Sequence, residues 1–142
     1  MLVRNIVLLL VLTIPLGCKA QGQSTSGPIN IVEQFIAAFN AQDPDRMAQY
    51  VTDDIQWLSV NGPQLSVETN GKTALLDSMS RYFKSCASCR SKLFTPIVLG
   101  HRVSVIEQAS WEHNGERRSQ KSLAVYELAG QAIRRVYYFP AD

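Results

Sequence analysis

Residues 103–139 read VSVIEQASWEHNGERRSQKSLAVYELAGQAIRRVYYF. Apolar and polar side chains alternate through this stretch, the period of strands whose two faces meet different surroundings. Asn114-Gly115 and Ala129-Gly130 interrupt the alternation at hairpin spacing. The stretch therefore predicts strands over 103–113, 117–128 and 133–139 in an antiparallel meander, with Leu93 to Leu99 as a further strand before them.

Upstream of residue 90 the period is that of helices. Val32, Phe35, Ile36 and Phe39 fall at i, i+3, i+4 and i+7, a helix with one buried stripe. Asp43-Pro44 supplies an N-cap and a first helical position for a second helix, with Met47, Tyr50 and Val51 on its apolar side. Ile55 to Val60 and Leu65 to Glu68 are short strands around the turn at Asn61-Gly62-Pro63. Thr69 or Asn70 is expected to cap a third helix, in which Leu75, Leu76, Met79, Tyr82 and Phe83 share a face. The order is helix, helix, two strands, helix, meander: an α+β domain with its helices on one side of the sheet.

The first residues read differently. Arg4 precedes seven unbroken apolar residues, Ile6 to Leu12, and a small-residue end at Gly17-Cys18. This is the pattern of a secretory signal over residues 1–17. Its apolar core is far shorter than the roughly 20 residues of a spanning helix. Pro15-Leu16-Gly17-Cys18 resembles a bacterial lipoprotein signal, in which the lipidated Cys18 becomes the first residue. Acyl chains there would hold the domain at the periplasmic face of a membrane without a transmembrane segment. Without lipidation the product is secreted or periplasmic. Residues 18–28 then form the anchor and a Gly/Ser/Gln-rich tether, and 29–140 the folded domain.

Composition limits the partners. Of 142 residues, 14 are Lys or Arg and 12 Asp or Glu, a balance that excludes a strongly basic nucleic-acid binder. Arg4 leaves with the leader, so the mature chain carries a net charge of +1. The odd count of 3 Cys resolves into one anchor, Cys18, and one pair, Cys86 and Cys89. The pair follows the third helix, where the dipole opposes a thiolate, so a structural disulfide fits better than a redox centre. His101 and His113 sit at strand ends without metal-ligand spacing, and the residues call for neither metal nor cofactor.

Three segments in this order, Val32-Glu33-Gln34-Phe35-Ile36-Ala37-Ala38-Phe39, Tyr50-Val51-Thr52-Asp53-Asp54-Ile55 and Gly71-Lys72-Thr73-Ala74-Leu75-Leu76, together with the closing Ala132 to Phe139, resemble the NTF2-like superfamily, which includes SnoaL-like and ketosteroid-isomerase-like proteins. The resemblance implies a cone: three N-terminal helices packed in a curved, mostly antiparallel sheet. It also implies an open end that admits a small apolar ligand, and homodimers formed through the outer sheet face. The isomerases' chemistry does not carry over. Phe35 stands where their first helix has a Tyr donor, Ser59 where they have a base, and Ser122 near their oxyanion-hole Asp. A phenyl ring donates no hydrogen bond, and an unassisted serine is no base near neutral pH.

The remaining candidates come from strand phase. Val103, Val105, Glu107, Ala109 and Trp111 form the more apolar phase of their strand, so Glu107 is expected to face inward with Ala109 and Trp111. On the last strand, Arg135, Tyr137 and Phe139 match the family's inner wall. These phases predict a Glu107–Arg135 pair in an apolar cup. Glu107 is then a general base, Arg135 a receiver for a ligand carboxylate, or the two a structural ion pair. Trp57, Met79, Trp111 and Tyr126 complete the expected lining with Phe35, Ser59, Ser122, Arg135 and Tyr137. Three functions fit: a ligand-binding domain, a SnoaL-like proton-transfer enzyme using Glu107, or a non-catalytic dimerisation or envelope interaction module. A cavity left open in the cup favours the first two, and a cup filled by aromatic side chains favours the third.

Overall fold

The computed structural model describes residues 27–141. The expected leader, Cys18 and nearly all of the tether lie outside the described residues. Helix α1 (Pro28–Asn40) starts on a proline and buries Ile31, Val32, Phe35, Ile36 and Ala38 along one stripe. The short α2 (Pro44–Ala48) is capped by Asp43, whose carboxylate accepts the Arg46 N–H at 2.9 Å. It ends before Tyr50 and Val51, so only Met47 serves as its buried residue, and Val51 opens a strand instead.

Strands β1 (Val51–Asn61) and β2 (Gln64–Asn70) form a hairpin, and α3 (Lys72–Ser85) follows. Neither Thr69 nor Asn70 caps α3. Both stay in β2, where Asn70 Oδ1 accepts from the Gln56 side chain, and Gly71 makes the turn at φ 93°. That backbone conformation favours glycine, and the Gly71 N–H donates to Ile55 O at 2.7 Å. Strands β3 (Arg90–Leu99), β4 (Arg102–His113), β5 (Glu116–Ala129) and β6 (Ala132–Pro140) make the meander. The β4–β5 turn has positive φ at both Asn114 and Gly115, as a two-residue hairpin requires.

The sheet order is β2-β1-β6-β5-β4-β3, with β1 and β6 parallel and every other pair antiparallel. The chain thus returns at its end to the middle of the sheet. α1 and α3 cover one face, and the core lies between them and Val103, Val105, Ala124, Tyr126, Ile133 and Val136. The opposite, outer face keeps large apolar side chains in solvent: Leu65, Val67, Ile97, Leu99 and Leu123 are all exposed. This is the α+β cone that the sequence predicts.

Asn40, the last residue of α1, grips β3. Its amide Nδ2 donates to Ser91 O at 2.8 Å, and its Oδ1 accepts the Ser91 N–H at 2.7 Å. Beyond α3 the chain is pinned by a disulfide between Cys86 and Cys89, and Gln42 Nε2 donates to Cys86 O and Ala87 O from the α1–α2 turn. Closing so short a loop contributes about 2 kcal/mol on chain-entropy grounds. Replacing both cysteines by serine is expected to lower the unfolding free energy by about that amount in urea titrations. Protein prepared without reductant should show no free thiol at these positions; two reactive thiols would contradict the disulfide.

Candidate functional site

The helices do not fill the cone at the end marked by Asn40. They leave a cavity of about 200 Å3. From α1, Phe35, Ile36 and Phe39 face it; from α3, Met79 and Tyr82. The sheet contributes Trp57, Ser91, Ala109, Tyr138 and one charged side chain, Glu107. The rings pair in two groups along the wall: Phe35 with Trp57 at 6.5 Å between centroids and Trp57 with Tyr138 at 6.0 Å, and separately Phe39 with Tyr82 at 6.0 Å.

Glu107 points inward from the middle of β4 and is 6% exposed. The Ser91 hydroxyl bonds its Oε1, and the Tyr126 hydroxyl donates to Oε2 at 2.7 Å. Ser91 sits opposite Ala109 across the β3–β4 ladder, and Tyr126 comes from β5, so three adjacent strands fix one carboxyl group. Burial pushes the Glu107 carboxyl above the ordinary range, and the two hydroxyl bonds, which favour the ionised form, only partly oppose it. Burial and the nearby Glu107 charge raise the phenols of Tyr82, Tyr126 and Tyr138, so all three remain donors. Among the described residues, no group of three or more His, Cys, Asp or Glu side chains is placed to hold a metal ion.

Phe35, Trp57, Met79, Glu107 and Ala109 meet at this cavity. The other expected lining residues lie elsewhere. Tyr126 is fully buried behind Glu107, and Ser122 is buried on the same inner face. Ser59 pairs with Tyr138 near the end of β1, half-buried and off the cavity. Trp111 shares the inner phase but lies two residues beyond Ala109, past the point where α1 ends on Ser91, and is half-buried there.

Arg135 and Tyr137 are on the wrong face for the predicted cup. The β5–β6 register shifts at Glu127/Leu128, and beyond it Val136 and Tyr138 turn inward while Arg135 and Tyr137 turn outward. No Glu107–Arg135 pair exists. Arg135 Nη1 instead lies 2.7 Å from Glu127 Oε1, and Arg102 Nη2 lies 3.0 Å from Glu127 Oε2, a triad on the outer face. Burial works to raise the Glu127 carboxyl, but the bonds from Arg135 and Arg102 prevail and hold it below the ordinary range.

Ile36, Phe39, Tyr82, Ser91 and Tyr138 complete the wall without having been singled out from the sequence. Phe39 and Tyr82 were legible as apolar-stripe residues of their helices. Tyr138 was hidden by the register shift, and nothing in the local pattern marked Ser91.

The sequence profile of the SnoaL-like domain matches residues 32–136, so the chain belongs to the SnoaL-like family. Among solved structures, it is similar to a cystatin-fold protein from Novosphingobium aromaticivorans at 22% identity, with a TM-score of 0.69 over 79% of this chain and 97% of that one. An NTF2-like protein from Cytophaga hutchinsonii gives 13% identity and a TM-score of 0.64 over 81% and 90% of the two chains. An LEH-like epoxide hydrolase from M. tuberculosis gives 17% identity and a TM-score of 0.66 over 80% and 78%. These likenesses establish the NTF2-like fold. A search of the curated proteins returns no match.

Glutamine is close in shape to glutamate and can still accept from Tyr126 while donating to Ser91. Glu107→Gln is therefore expected to change stability by less than about 1 kcal/mol near neutral pH, whereas Glu107→Leu strands two buried hydroxyls and should cost roughly 2–5 kcal/mol. The pH dependence has a definite sign. With its folded pKa raised, Glu107 contributes stability below its unfolded pKa that is lost as pH rises through the folded value. Urea titrations across pH should show the wild type losing stability relative to Glu107→Gln as pH rises through that window; parallel curves would contradict it.

Proposed function

We propose that this is an exported, membrane-tethered SnoaL-like domain that binds a small, largely apolar molecule in its cup. The observation that carries the reading is the open cavity of about 200 Å3 with one buried carboxyl group in its wall. A purely structural module gains from filling such a space, because an apolar void costs stability in proportion to its volume. The size is a little above that of an engineered cavity of about 150 Å3 that takes up benzene, so a ligand of one ring and a few further atoms is the right scale. The opening is walled by aromatic and thioether side chains suited to such a molecule.

A second reading makes the cup a reaction chamber. Glu107 is positioned by Ser91 and Tyr126, and burial raises its pKa, the direction that suits a carboxyl group acting in proton transfer. The similarity in fold to an epoxide hydrolase is compatible with it. In this reading Glu107 takes a proton from the bound molecule or returns one. The supporting chain carries none of the isomerase groups, so the reaction differs from theirs in its donors.

The tether and the assembly belong to the same proposal. The signal pattern and Cys18 support lipidation and a location on the periplasmic face of a bacterial membrane. The apolar outer face, with Leu99 77% exposed and Ile97 62% exposed, supports a homodimer that covers it. The interaction-module reading shares this face but leaves the cavity without a purpose.

Native mass spectrometry of the full chain extracted from membranes reads all three features at once. The expected spectrum shows a dimer, an acylated N-terminus at Cys18 and a retained small molecule released on activation. An unmodified chain starting after a different cleavage point removes the anchor, and an empty cup that accepts no small molecule removes the ligand reading. Intrinsic fluorescence gives a direct titration. In Trp111→Phe the remaining indole, Trp57, stands in the cavity wall, and ligand entry is expected to shift its emission.

A further inference from the structure

The cup has an unusual charge balance. Among the described residues, Glu107 is the only ionisable side chain in its wall apart from the tyrosines, and no Lys, Arg or His lines it. Cations on the strands around Glu107 are engaged elsewhere. Arg102 and Arg135 are spent on Glu127, Lys92 and Lys121 lie over the Phe94 ring at 5.0 and 5.5 Å on the outer face, and Arg90 is exposed and donates to the main chain at Ala87 and Cys89. Among the described residues, the partners of the carboxyl group are two hydroxyls. An ionised carboxylate accepts at about four positions, so about two acceptor positions remain unused.

The same cavity is walled by the rings of Phe35, Phe39, Trp57, Tyr82 and Tyr138. Aromatic faces attract a cation through the ring quadrupole, more strongly where water is excluded. A carboxylate in such surroundings repels an anionic ligand and gains little from a hydrocarbon. A protonated amine supplies both what the carboxylate lacks, a counter-charge with N–H donors, and what the rings attract.

We propose that the cup selects a small organic cation: a protonated amine on a short arm, carried by a single ring. The ammonium group donates to Glu107, and the ring lies among Phe35, Trp57 and Met79. The inference rests on the reading that the cup takes a small molecule, and it adds the charge and class of that molecule. The size limit follows from the cavity, since about 200 Å3 accommodates one ring and an arm of two or three atoms but not a fused-ring skeleton.

The probes are phenethylamine, phenethyl alcohol and phenylacetate, one ring and arm with three different head groups. Each is titrated into Trp111→Phe protein near neutral pH while Trp57 emission is followed. The expected order is amine over alcohol by about tenfold, the difference between a charge-assisted and a neutral hydrogen bond, with phenylacetate weakest. Adding Glu107→Gln should bring the amine down to the level of the alcohol while the alcohol still binds, which shows that the cup remains folded. Alcohol binding as tight as the amine on the parent protein, or an amine preference that survives Glu107→Gln, overturns the cation inference and leaves the small-molecule reading standing. Failure of all three probes in both proteins overturns the inference and the reading of the cup together.

Discussion

The two hydrogen bonds between the Asn40 carboxamide and the Ser91 main chain decide where the cone stays open. They extend the β3 hydrogen-bonding pattern onto the end of a helix, and so fix the distance between α1 and the sheet at that end. A helix end leaves carbonyl groups without partners, and a strand beside it has main-chain groups to satisfy. Asn40 meets the strand's need with one side chain. Because Ser91 is held by its backbone, its hydroxyl has a defined place to meet Glu107. The wall of the cavity and the orientation of its one acid thus follow from the same contact.

The disulfide continues this logic a few residues away. Cys89 directly precedes the β3 segment that Asn40 holds, and the Tyr82 hydroxyl donates to its Sγ at 3.1 Å. Tyr82 is also part of the cavity wall. The α3–β3 connection, the α1–α2 turn through Gln42 and the mouth of the cup are therefore one tied structure. Within it Cys89 is buried, while Tyr82 is 38% exposed at the rim. Such a rim keeps its shape while leaving an entrance.

What could be read from the sequence depended on contrast between faces. β4 alternates Val, Val, Glu, Ala on one side against Ser, Ile, Gln, Ser on the other, so a carboxylate in the apolar phase stood out and Glu107 was placed inward correctly. β6 carries Arg134-Arg135 and Tyr137-Tyr138, doublets that look alike in either phase, and the register shift beside them chose the phase that the sequence left ambiguous. That one step exchanged Tyr138 for Tyr137 in the wall and sent Arg135 to the outer triad. Ser91 was hidden for another reason. It lies in the stretch from Cys89 to Lys92, which has no apolar alternation, and its role arises only from a helix end 51 residues away in the chain. The cap of α3 shows the same limit, because Gly71 acts through a backbone conformation that competes with two better side-chain caps beside it.

The loss of Arg135 from the cup changes the chemistry more than it changes the fold. With an arginine beside it, Glu107 would be a permanently ionised partner in a neutral pair, and the cavity would favour uncharged or acidic ligands. Without it, the carboxyl group sits in an apolar enclosure with two hydroxyl donors, and its charge state depends on what enters. A neutral guest leaves burial in control and favours the protonated acid. A cationic guest reverses the balance and favours the carboxylate. Arg102 and Arg135 are committed to Glu127 on the far side of the same sheet, each through a short ion pair. The sheet thus separates a paired charge cluster on its outer face from a buried acid on its inner face whose described partners are two hydroxyls.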